Sequence, residues 1–169
     1  MSLSQKRLLV VDDNPVNVSL MMCLLETYGF HHVEGISDPR VVVQHCTQQP
    51  PPDLVLLDIR MPYLSGYDVI RLLQQQLGDK TPPIIVLTAQ VDESTRHRAL
   101  ELGVRDFIEK PFDEKEVLQR IRNVLEVEMR YQRRDQQVET LSRLVAKRTR
   151  ELEKLSHADP VTGLPNRRG

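Results

Sequence analysis

Tryptophan is absent from this chain, and four tyrosines and three phenylalanines are the only aromatics in 169 residues. So few flat rings weaken any case for stacking on nucleic-acid bases. Two cysteines, Cys23 and Cys46, are too few for a disulfide framework. Each lies in an apolar-rich segment, so both are expected as reduced, buried thiols of a cytoplasmic protein. No run approaches the ~18 apolar residues of a membrane span, and the opening MSLSQKR has no signal-peptide core. Charge of one sign is also missing: Lys and Arg total 23 against 24 Asp and Glu, for a net charge of −1. That balance draws the chain to neither nucleic acid nor an anionic membrane, although a neutral sum leaves room for a local basic patch.

What is present falls into two regimes. Up to about Asp113, short apolar runs alternate with amphipathic stretches. LLVV (8–11), LVLL (54–57) and IIVL (84–87) are nearly continuous in apolar residues, as in strands buried on both faces. HHVEGI (31–36) reads as a strand nearer an edge, and DFIE (106–109) as a short fifth. Helices are expected over 15–28, 38–47, 66–77 and 92–102, with Gly29, Gly78 and Gly103 after three of them and the triple proline 50–52 after the other. Strand–helix alternation with short connections specifies an α/β fold around a parallel sheet, here a small doubly wound one.

From Asp113 to His157 there is no Gly and no Pro, and the segment reads as one long helix. Steps of three and four residues fit it throughout: Val117, Arg120, Val124, Val127, Tyr131, Arg134, Val138, Leu141, Val145, Arg148, Leu152 and Leu155. Nine of these twelve are apolar, which predicts a coiled-coil seam. Valine at 117, 124, 138 and 145 favours two parallel strands, hence a parallel homodimer. Arg130 of one helix would then face Asp135 of the other. The plainer reading is one amphipathic helix lying on its own domain, but the seam from Val117 to Leu155 alone runs about 58 Å and outreaches a small domain.

The segment LLVVDDNPVN (8–17) runs straight from a strand into two carboxylates. In an open parallel sheet, ligands bind beyond the carboxyl ends of the strands. Asp12 and Asp13 end the first strand, Asp58 ends LVLLD, Thr88 ends IIVLT and Lys110 ends DFIEK. Alone, the Asp pair would suggest helix capping. With the rest, it suggests a hard cation such as Mg²⁺, which takes oxygen ligands and resolves the carboxylate repulsion. A metal, a carboxylate nucleophile, a hydroxyl and an ammonium are the parts that move a phosphoryl group.

VVDDNPVN, VLLDIRMPYLSGYDV, IIVLTA and DFIEKPF, spread over residues 6–126, resemble the receiver domain of bacterial two-component response regulators. The resemblance implies a five-stranded sheet in the flavodoxin-like order 2-1-3-4-5, with helices on both faces and the last one extended into the coiled coil. It implies that Asp58 accepts phosphate from a sensor histidine kinase or phosphotransfer protein. Asp12, Asp13, Asp58 and the backbone carbonyl of Arg60 would hold Mg²⁺, and Thr88 and Lys110 would contact the phosphate. Thr88 and Phe107 would form the switch, although Phe107 can equally be core packing. Pro111 stands at the family's cis-proline position, and Arg60 and Gln90 at positions that tune dephosphorylation.

The segment HADPVTGLPNRRG (157–169) opens with turn signals. On composition it fits a disordered tail. It also resembles the entry to GGDEF domains, which make cyclic di-GMP, and there Asn166 would contact guanine; degenerate GGDEF domains, and GGDEF domains followed by a phosphodiesterase domain, begin similarly. The expected organisation is therefore a receiver domain over 1–126, a signalling helix over 113–157 and the start of a GGDEF domain over 158–169. The catalytic parts of a cyclase are absent from this sequence, so the fragment itself is not expected to be an enzyme. Two other classes fit less well. Haloacid-dehalogenase-like phosphatases carry their aspartates as D-x-D on one strand, whereas Asp12/Asp13 and Asp58 lie on two. A constitutive interaction module would be indifferent to Asp58.

Overall fold

The computed structural model describes residues 2–48, 50–89 and 92–157, with side chains through residue 152. Strands β1 (Arg7–Val11), β2 (His32–Ile36), β3 (Leu54–Asp58), β4 (Ile84–Thr88) and β5 (Asp106–Glu109) form one parallel sheet in the order 2-1-3-4-5. Every residue of β3 and β4 is buried, as their unbroken apolar runs require. β2 lies at an edge and is largely exposed, which its mixed composition allows.

The two-residue period of the strands divides the core into two layers. Leu8 and Val10 of β1 point to one side, against Met21 and Leu25 of α1 (Pro15–Thr27) and Val117, Ile121 and Leu125 of α5 (Glu114–His157). Leu9 and Val11 point to the other, against α2 (Val42–Gln48), α3 (Gly66–Leu77) and α4 (Glu93–Glu101). Gly35 on β2 allows α1 to approach closely: a Cβ there would collide with Val18 Cγ1 and lie 2.7 Å from Met22 Sδ.

Three expectations are corrected. Cys46 is buried, but Cys23 is exposed on the outer face of α1. The helix expected over 38–47 begins as a 3-10 turn (Pro39–Val41) capped by Asp38. Val117 and Val124 are buried in the core beside α1, so neither is available to a second helix. The chain divides into two compact units, Met1–Glu128 and Met129 onward. In the second unit Tyr131, Val138, Leu141, Val145 and Leu152 are all exposed. Val127, at the end of the first, is exposed too.

Candidate active site

The carboxyl ends of β1, β3, β4 and β5 deliver the expected side chains to one edge of the sheet. Val11 pairs with Leu57, so Asp12 and Asp58 follow side by side on neighbouring strands. Asp12 and Asp58 are buried and Asp13 is exposed. One carboxylate oxygen from each lies within 4.8 Å of those of the other two. The Asp pair does not cap α1; Asn14 does, its side chain accepting from the Val16 amide, with Pro15 at the first helical position. Asp12 is thereby left to face the site. Its Oδ1 accepts from the Asn14 amide at 3.0 Å, and its Oδ2 accepts from Lys110 Nζ at 3.1 Å.

Lys110 Nζ also lies 3.5 Å from Asp58 Oδ2. The Arg60 amide donates to Asp58 Oδ1 at 3.3 Å. Thr88, buried at the end of β4, accepts the Lys110 backbone N–H at 2.7 Å through its carbonyl. The Lys110–Pro111 peptide is cis. Burial pushes the Asp58 carboxyl up to about 6. Lys110 opposes this, Asp12 adds to it, the Arg60 amide opposes it and Asp13 adds again. Three carboxylates against one ammonium leave an excess of two negative charges, which fits a divalent, oxygen-seeking cation.

Gly66 closes the floor of the site. Its amide donates to the Ile59 carbonyl at 2.7 Å, and a Cβ there would meet the Asp58 carbonyl oxygen at 2.6 Å. Phe107 is half-buried against the β4–α4 side of the core and lines a hollow of about 460 Å³ with Leu100, Arg96 and Arg120. Arg120, read from sequence as part of the seam, instead donates to Asp106 at 2.7 Å and to Glu116 at 3.1 Å. The Glu116–Arg120 spacing was the signal for that pair. Asn166, Gln90 and the side chain of Leu155 lie outside the described residues.

Residues 8–122 match the family model of the response regulator receiver domain. The chain belongs to that family. The receiver is 38% identical over 120 residues to the phosphate regulon transcriptional regulatory protein PhoB of Klebsiella pneumoniae, covering 71% of this chain and 52% of the relative. It is 36% identical over 122 residues to the DNA-binding response regulator MtrA of Mycolicibacterium smegmatis, covering 72% and 51%. The chain thus spans about half the length of the curated relatives it matches. Among solved structures, the receiver domain of the sensor histidine kinase PA1611 of Pseudomonas aeruginosa, with a magnesium ion in its active site cleft, is 30% identical. It covers 72% of this chain and 98% of that one, with a TM-score of 0.64. A fusion bearing the trimeric coiled coil of yeast Spc42 covers 90% of this chain and 99% of that one, with a TM-score of 0.72. Its 20% identity shows the fold alone. The receiver is the phosphoacceptor module of a two-component response regulator, and no described helix is long and apolar enough to cross a membrane.

Proposed function

We propose that Asp58 is the phosphoacceptor, and that the receiver governs an output domain through a helix that pairs with a second copy. The observation that carries the first part is the convergence of Asp12, Asp13, Asp58 and Lys110 within a few ångströms at one sheet edge. Receiver domains take phosphate from sensor histidine kinases. An Asp58 carboxylate oxygen attacks the phosphorus, the donor N–P bond breaks, and an acyl phosphate forms while the imidazole leaves with the electron pair and takes a proton. Above about pH 6 Asp58 is ionised and ready to attack. Lys110, already shared between Asp12 and Asp58, neutralises phosphoryl oxygens, and the Thr88 hydroxyl donates to one. Asp12, Asp13, Asp58 and the Arg60 carbonyl would hold Mg²⁺, which when bound offsets the charge of the phosphoryl group.

Phosphorylation adds about −1.5 to −2 charge. Thr88 moves toward it, Phe107 turns into the space vacated, and the face carrying α4 and β5 changes. The pairing seam starts at Val127 and continues through Tyr131, Val138, Leu141, Val145, Leu152 and Leu155 in a parallel homodimer. By the resemblance of residues 159–168, the output is a GGDEF domain making cyclic di-GMP, with Asn166 on the guanine. A DNA-binding output is the second reading, favoured by relatives named as transcriptional regulators. Light scattering with and without Mg²⁺ and a phosphoryl mimic tests the assembly. A dimer that forms or tightens only when Asp58 is intact supports a switched helix. A monomer in every condition refutes the pairing.

A further inference from the structure

The sheet order sets two loops on either side of the acidic cluster. β2 and β3 flank β1, so the segments leaving their carboxyl ends rise on opposite sides of Asp12 and Asp13. Strands two apart are separated by about 10 Å. Yet the two segments meet: the Arg40 guanidinium, just after β2, lies 4.1 Å from the centre of the Tyr63 ring, in the loop after β3. Arg40 is itself held. Its Nε and Nη2 donate to both oxygens of Asp38 at 3.0 and 2.9 Å, and its amide donates to Asp38 Oδ1 at 3.0 Å.

Tyr63 occupies a conformation that a bulky L residue rarely adopts, with φ +70°. The Leu64 amide donates to the Pro62 carbonyl at 2.8 Å, which closes a tight and strained three-residue turn around it. Burial of the ring does not hold it there, since Tyr63 is 75% exposed. The same loop is tied at its base, where the Gly66 amide meets the Ile59 carbonyl and the Arg60 amide meets Asp58. Strain of this kind persists where surrounding structure over-determines it, and it clusters at functional sites.

We propose that Arg40 and Tyr63 form a strap across the end of β1 that positions the loop carrying the Arg60 carbonyl for a divalent cation. They are positioning residues; neither touches the reacting atoms. The inference rests on the metal site proposed above. Its test is calorimetric titration of the full chain with Mg²⁺, beside the thermal midpoint of the metal-free protein. Tyr63→Gly separates positioning from folding, because glycine tolerates φ +70° while deleting the ring. Tyr63→Gly and Arg40→Ala are expected to weaken Mg²⁺ binding about two- to fivefold, the scale of an exposed cation–π contact. The metal-free midpoint of Tyr63→Gly is expected not to fall. Tyr63→Phe keeps the stack and the affinity, whereas Arg40→Lys loses the planar guanidinium and behaves as Arg40→Ala. The double variant should be no weaker than either single one. Strap variants that bind Mg²⁺ as tightly as a binding-competent wild type overturn the strap alone. Additive losses also overturn it. A wild-type chain that binds no Mg²⁺ overturns the metal site and the strap together.

Discussion

Replacing Asp58 with asparagine should stabilise the metal-free protein at neutral pH, by an amount the site itself sets. Burial, with Asp12 and Asp13 nearby, raises the Asp58 carboxyl from an ordinary 3.8 to about 6, even after Lys110 and the Arg60 amide oppose the shift. The folded chain therefore keeps a proton that the unfolded chain releases on passing pH 4. Stability from this group is fully present below about pH 4 and is lost as pH rises through about 6. Two pKa units correspond to about 3 kcal/mol at 1.36 kcal/mol each. Asparagine has nearly the same shape and no charge to desolvate. Asp58→Asn should match the wild type near pH 4 and exceed it by about 2–3 kcal/mol at pH 7.5. Urea unfolding followed by far-ultraviolet circular dichroism, with a chelator present, measures the difference; the chain has no tryptophan to report by fluorescence. Saturating Mg²⁺ should then narrow the gap, because a ligand at a hundred times its Kd adds about 2.7 kcal/mol to the protein that binds it. A gap that does not change between pH 4 and 7.5, or a less stable variant at pH 7.5, would refute this electrostatic account.

Lys110→Met removes the cation that opposes the upward shift of Asp58, so in urea unfolding without metal the loss of stability should extend above pH 6, costing about 1–3 kcal/mol at pH 7.5. Gly66→Ala sets a Cβ against the Asp58 carbonyl, forcing β3 and α3 apart; calorimetry should show a lower thermal midpoint together with weaker Mg²⁺ binding. Ile121→Ala should cost the receiver about 2–4 kcal/mol by leaving a cavity beside α1, read in the same urea experiment. Leu141→Glu should leave the receiver's unfolding unchanged and abolish any dimer detected by light scattering.

The sheet was legible because its strands are short, apolar and punctuated. LLVV, LVLL and IIVL allow no face to stay wet, and Gly29, Gly78 and Gly103 adopt positive φ where helices end. The site was legible for the same reason: once strand ends are known, the parallel topology brings Asp12, Asp58, Thr88 and Lys110 to one edge. Pattern failed where one helix serves two purposes. Val117 and Val124 continue the spacing of Val138 and Val145, yet they are covered by their own domain. A heptad records that a face is apolar, without recording what covers it. Cys23 is a similar case, since α1 is apolar nearly all round and the sequence does not say which side meets β1. The Arg40–Tyr63 stack joins residues 23 positions apart through the sheet order, and no local spacing announces it.

The most direct test of the account is intact-mass spectrometry of the full chain after incubation with Mg²⁺ and a small acyl phosphate donor. A gain of one phosphoryl group is expected at neutral pH, absent in Asp58→Asn and absent when the metal is chelated. The same gain in Asp58→Asn, or no gain in the wild type under any metal condition, would contradict it.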